Sequence, residues 1–153
     1  MLFRTTRFVL CALVIACSGA LISQHAVAQE GATVSDPSVY KAFGEKEGLV
    51  KIMDDFLINL KADKRTKPFF EDINEANFKA QLVNQICEVL AGPCKYTGGP
   101  MTPVHKQLGI NREHFNALVE QLQLAMDKHN VPFTAQNKLL AVLAPMHRNI
   151  ITK

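Results

Sequence analysis

The sequence predicts an all-α protein built as one domain. Apolar residues recur three and four apart through Leu49, Ile52, Met53, Phe56, Leu57 and Leu60, which is one face of a helix. Two further segments open with a hydrophobic staple around an asparagine N-cap, and no stretch alternates as a strand would. The 153 residues are 48% hydrophobic and 20% charged, enough apolar material for a real core and too much for a disordered chain.

Residues 1–28 differ in kind from the rest. Arg4 and Arg7 lead into an apolar run, Phe8 to Ile22, and then into Ala26-Val27-Ala28 before Gln29, the layout of a cleavable export signal. A competing pattern is Val14-Ile15-Ala16-Cys17, which resembles a lipobox and would make Cys17 an acylated N-terminus. Ser18, Gly19 and Ser23 break the run short of the ~20 residues that a spanning helix needs. The expected organisation is signal peptide 1–28, flexible lead-in 29–36 and folded domain 37–153. Export implies a periplasmic protein, with a lipoprotein anchored through Cys17 as the alternative.

The elements follow in order. Asp36-Pro37 offers an N-cap with proline in the first turn, so a short helix is expected to Phe43, stopping at Gly44. The strongly periodic helix through Leu49 and Leu60 comes next, then a turn at Lys67-Pro68-Phe69-Phe70. Asn74, flanked by Ile73 and Phe78, starts a helix whose inner face continues through Leu82, Val83, Ile86 and Leu90 and is expected to end at Gly92-Pro93. Glycine and proline fill 92–103, a long loop. Thr102-Pro103 is expected to open a short helix that carries His105 and ends at Gly109. Asn111, between Ile110 and Phe115, caps a helix to about His129. Thr134 is expected to cap the last one, with Pro145 bending or ending it.

Removing 1–28 lowers the bases from 17 to 15 against 14 acids, a net charge of +1. That balance argues against nucleic acid or an anionic membrane as partner, and membrane attachment is expected only if Cys17 is lipidated. The chain has no serine-centred catalytic pattern, no phosphate-binding glycine loop and no closely spaced metal-ligand cluster. Of the four mature histidines, His114, His129 and His147 fall where a solvated helix face is the ordinary explanation. His105 sits among Met101, Val104, Leu108 and Ile110, where an imidazole can point into an apolar chamber or simply hydrogen-bond a carbonyl as a core residue.

Only Cys87 and Cys94 remain in the mature chain, and an oxidising compartment lets them pair. On one helix a seven-residue separation spans about 10 Å, too far for a bridge. Gly92-Pro93 breaks the helix between them, so a disulfide is expected, with two buried free thiols as the alternative. So small a loop contributes roughly 2–3 kcal/mol at most by chain entropy.

From Tyr40 to Ile150 the chain resembles the group I truncated haemoglobins. The resemblance rests on Tyr40 with Gly44 and Gly48, Asp55-Phe56, Pro68-Phe69-Phe70, Gly92-Pro93, Tyr96-Thr97-Gly98, Met101, His105, Gly109-Ile110, Phe115, Val131-Pro132 and Ala144-Pro145. It implies a two-over-two helical sandwich around haem b, with His105 as the proximal ligand to iron through its neutral imidazole. It also implies that Phe70 packs on the haem plane, that Phe56 and Phe69 belong to the pocket, and that Phe115, Leu118 and Leu143 line it from the last long helices. Met101, Leu108 and Ile110 are expected on the proximal side.

The departures from the family lie on the distal side. Leu57 stands where a tyrosine is usual, and Phe78 and Leu82 stand where glutamine often appears. Gln81 and Gln85 are the nearest candidate donors, and Gln85 is preferred because it lies three residues after Leu82 on one face. Phe43-Gly44 also replaces a usual pair of glycines. The expected function is reversible binding of a diatomic gas, O2, CO or NO, on ferrous iron kept reduced by an unknown electron donor. A haem enzyme acting on NO or peroxide is the alternative, and a helical interaction module without cofactor is a third reading.

Overall fold

The computed structural model describes residues 32–153, so the expected signal, with Cys11 and Cys17, lies outside the described residues. Helix α1, Pro37–Ala42, starts as its sequence requires: the Asp36 side chain accepts the Ser38 amide at 3.0 Å, and Pro37 fills the first helical position. The chain then reverses through Gly44, which has φ +74° and N-caps α2, Glu45–Ala62. That left-handed angle is where glycine carries no Cβ penalty.

Helix α2 buries Leu49, Ile52, Met53, Phe56, Leu57 and Leu60, the stripe its spacing predicts. It makes its widest contacts with α3, Glu75–Val89, and α5, Arg112–Lys128. Asn74 and Asn111 cap these two helices, accepting the amides of Asn77 and His114. His114 also returns a ring nitrogen to the Asn111 amide and closes a capping box. Helix α6, Phe133–Leu143, packs on α1 and adds Ala135 and Leu139 to the core. Two short helices complete the chain, α4, Met101–His105, and α7, His147–Ile150, and they touch each other. Among the described residues there is no strand.

Four local expectations need correction. The lead-in is anchored where it is described: Val34 is buried, its amide donates to the Val89 carbonyl at 2.7 Å, and Asp36 pairs with Lys138. Helix α3 stops at Val89, because Ala91 adopts φ +57° and the Gly92 amide turns back to the Cys87 carbonyl before Pro93 is reached. Helix α4 begins at Met101 behind Pro100 and reaches only His105, with Leu108 closing a turn on the His105 carbonyl. The last long helix begins at Phe133, one residue before Thr134, since Pro132 is already extended there and needs no side-chain cap. Pro145 does interrupt it, through a 3-10 turn at Ala144–Met146 that leads into α7.

Buried polar groups are tied to one another. Thr66 Oγ1 donates to the Leu60 carbonyl, and Gln136 Nε2 donates to Asp127 and the Val131 carbonyl. At the end of α2 the Asp63 carboxylate accepts from Arg65 at 2.6 Å and from Gln121 Nε2 at 2.8 Å, joining this corner to α5. Arg65 also reaches Glu120 at 2.6 Å. Hydrogen bonds from Arg65 hold the Asp63 carboxyl well below the usual range, at about 2.

Because the folded-state value of Asp63 is depressed, its contribution is present above the ordinary carboxylate value and is lost as pH falls towards 2. Asp63→Asn is therefore expected to flatten the loss of stability between about pH 4 and pH 2, as thermal midpoints across that window will show. Gly92→Ala is expected to destabilise by about 1–3 kcal/mol in urea unfolding, the usual cost of overpacking. A Cβ there would lie 2.7 Å from both Cys87 Sγ and Tyr40 Cε2.

Candidate functional site

The apolar side chains fall into two groups. One is dry: Val39, Phe43, Leu49, Ile52, Met53, Phe56, Leu60, Ile86, Leu90, Met126 and Leu139 are almost wholly buried against one another. The other leans on that core while staying only partly buried, and it includes Phe70, Phe78, Leu82, Leu118 and Leu143 beside Tyr40, Ala42, Cys94, Leu140 and Val142. Phe78 and Leu82 are one turn apart on α3, and Phe115 and Leu118 share a face of α5. Phe70 and Phe78 meet with ring centroids 5.3 Å apart.

His105 ends α4 and is half-buried. Its Nδ1 lies 2.7 Å from the Met101 carbonyl, the next turn back. A carbonyl only accepts, so Nδ1 carries the proton and Nε2 is the nitrogen with a lone pair. Such a bond fixes the ring and orients an imidazole for a metal, and among the described residues no three acidic, cysteine or histidine groups gather as a rival metal site.

The other expected site residues occupy varied positions. Phe56 belongs to the dry core, while Leu57, also buried, lies outside it in a hollow between α2 and α3 framed by Lys61 with Glu75 and Lys79 with Asp54. Phe69 is half-buried, its ring 4.9 Å from that of His114. Ile110 is buried and accepts the Thr152 and Lys153 amides through its carbonyl, whereas Leu108 is 46% exposed. Gln81 and Gln85 differ sharply. Gln81 Oε1 is buried with no hydrogen-bond partner, an arrangement that costs ~1–3 kcal/mol unless something satisfies it. Gln85 and Met101 instead line a cavity of about 670 Å³ under the loop from Ala91 to Pro100, with Glu88, Cys94, Tyr96 and Met146. Cys87 and Cys94 are joined as a disulfide, S–S 2.04 Å and Cα–Cα 5.7 Å.

Three histidines read from the sequence as solvated are each engaged. His114 closes the cap of α5, His129 Nε2 meets Asp55 at 2.8 Å, and His147 Nδ1 meets the Ala144 carbonyl with its ring 6.2 Å from Phe115. The place of His114 at N3 after Asn111 was the one available signal. Spacing alone carries no mark of the long-range partners of the other two.

An iron porphyrin fits these residues: an imidazole whose Nδ1 is engaged by the Met101 carbonyl, so that Nε2 is the nitrogen left for iron, and partly buried aromatic and aliphatic side chains.

Comparisons with known proteins agree. Residues 38–152 match the bacterial-like globin family. The chain is 31% identical over 115 residues to a group 1 truncated hemoglobin of Mycolicibacterium paratuberculosis, spanning 75% of this chain and 85% of that protein. It is 30% identical to one of Synechocystis, over 72% of this chain and 94% of that protein. The crystal structure of truncated hemoglobin from Tetrahymena pyriformis, Fe(III) form, superposes with a TM-score of 0.72 at 24% identity, covering 75% and 98% of the two chains. The helices thus form the two-over-two globin sandwich, and the chain belongs to the bacterial-like globins, haem-binding proteins that take gases on iron, with the group 1 truncated haemoglobins as its relatives.

Proposed function

We propose that this globin holds one haem b through His105 Nε2 and binds a diatomic gas reversibly, with weak retention of O2 because its distal side is apolar. The observation that carries the ligand assignment is the bond of His105 Nδ1 to the Met101 carbonyl, which fixes the ring and leaves Nε2 for iron. When bound, haem supplies the ferrous centre on which the gas sits. The chain's own work is to exclude water and to orient that centre. Phe70, Phe78, Leu82, Leu118 and Leu143, already seated against the core, give the plate apolar surfaces on several sides.

Leu57, Phe78 and Leu82, at the positions that the family resemblance assigns to the distal side, carry no hydrogen-bond donor. O2 draws negative charge when it binds and profits from a donor, while CO carries less charge and loses little. Of the two candidate donors, Gln85 faces the cavity under the loop, and the buried atom of Gln81 is its acceptor oxygen, so the Gln81 amide would have to rotate to present Nε2 as a donor. Export to the periplasm is part of the same reading, supported by Arg4 and Arg7 ahead of an apolar run and by Ala26-Val27-Ala28.

His105→Gly is expected to lose haem or its iron–imidazole bond, and added imidazole is expected to restore part of the absorption spectrum. An unchanged spectrum in the mutant would remove His105 from the site. Leu57→Tyr is expected to slow O2 dissociation roughly 10- to 100-fold, as one hydrogen bond to a charged acceptor of about 1.5–3 kcal/mol implies, with a much smaller change for CO. Stopped-flow release of both gases checks this, and slow O2 release from the unmodified protein would show that a donor such as Gln81 is already in place.

A further inference from the structure

The disulfide has two unlike ends. Cys87, on the last turn of α3, is completely buried, and its Sγ lies 3.6 Å from the Tyr40 hydroxyl. A bridged sulfur carries no hydrogen, so Tyr40 is the donor in that contact. Cys94 is half-buried and stands on the wall of the 670 Å³ cavity, beside Glu88 and Lys95. A reagent entering the cavity meets Cys94 first.

We propose that Cys87–Cys94 is a site of thiol–disulfide exchange with a dithiol reductant, entered at Cys94, with Tyr40 steadying the departing Cys87 sulfur. The reductant's first thiolate attacks Cys94 Sγ. A bond forms between those sulfurs, the Cys87–Cys94 bond breaks, and the electron pair leaves on Cys87 Sγ under the Tyr40 hydroxyl. Cys87 takes up a proton, and the reductant's second thiolate then attacks its own sulfur in the mixed disulfide and releases Cys94. The protein gains two electrons and two protons, and the reductant ends as a disulfide. A hydrogen bond to the leaving sulfur lowers its basicity, and a less basic thiol leaves faster.

Reduction cuts the covalent cross-link between α3 and the loop that leads to α4 and His105. The loop keeps its hydrogen bonds to α3: the Ala91 and Gly92 amides donate to the Glu88 and Cys87 carbonyls at 3.0 and 2.7 Å, and Glu88 accepts from Lys95 Nζ at 3.0 Å and from the Tyr96 amide at 3.1 Å, while Tyr96 donates to the Gly99 carbonyl at 2.9 Å. Loosening this loop is a property of the polypeptide and can be read without haem.

Three measurements on the full chain, with Cys11 and Cys17 replaced by serine so that Cys87 and Cys94 are its only cysteines, test the proposal. With glutathione disulfide as probe, Cys94 in Cys87→Ser is expected to form the mixed disulfide on the order of 10-fold faster than Cys87 in Cys94→Ser, because thiol access governs the rate. Tyr40→Phe, checked for native helicity, is expected to slow reduction of the bridge by dithiothreitol roughly 3- to 10-fold. Amide hydrogen exchange over 91–100 is expected to quicken on reduction while that of α2 stays unchanged. Equal or reversed thiol reactivity, an unchanged rate in Tyr40→Phe, or a loop indifferent to reduction would each overturn it. None of these readings depends on His105, so they fail or succeed separately from the haem assignment.

Discussion

The apolar stripe of α2 is the surface against which the other long helices are set. Leu49, Ile52, Met53, Phe56 and Leu60 leave water on both flanks at once, since α2 lies between α3 and α5. At about 1.5–3 kcal/mol for each large side chain fully buried, this one stripe contributes a major share of the driving force for folding. Its geometric consequence is equally large. With α3 and α5 both pinned to α2, the faces carrying Phe78 with Leu82 and Phe115 with Leu118 acquire fixed positions without being consumed by the core. A short chain thereby keeps some of its apolar surface for a cofactor.

The segment that carries His105 depends on much lighter means. Helix α4 has five residues, too short to be stable alone, and its N-cap Pro100 makes no side-chain bond. It is placed by its neighbours instead: α7 lies against it, and the Ile110 carbonyl just beyond it accepts the Thr152 and Lys153 amides. The disulfide and the bonds to Glu88 restrain the loop before it. A histidine carried on such a segment owes its orientation chiefly to the bond between Nδ1 and the Met101 carbonyl.

Much of the fold was legible because it rests on local chemistry. The spacing of the α2 stripe, the N-caps Asp36, Asn74 and Asn111, and the break before Cys94 are each written in a few neighbouring residues. Where expectation and structure part, a longer-range or competing interaction is responsible. Val34 is anchored by the Val89 carbonyl, far along the chain, and no pattern within 29–36 foretells it. Helix α3 ends early because a left-handed Ala91 takes the role that Gly92 was expected to play. Within the candidate site, the surroundings of His105 also suit a core histidine, so the family resemblance and not the local pattern singles it out, and the division of labour between the two glutamines was not legible at all. Gln81 and Gln85 look alike in sequence, and only packing separates a buried, unpaired amide oxygen from one side of an open cavity.

The anchored segment ahead of α1 bears on the approach to the disulfide as well. Ala32 and Thr33 form part of the wall of the hollow in which Cys94 stands, so anything joined upstream of residue 32 is tethered at its rim. Cleavage after Ala28 would leave three residues there, 29–31, whereas cleavage before Cys17 would leave fifteen, 17–31, with an acyl group at their end. If the N-terminus is processed, the choice of site would set how much chain is joined at that rim, more than sixty residues from Cys94.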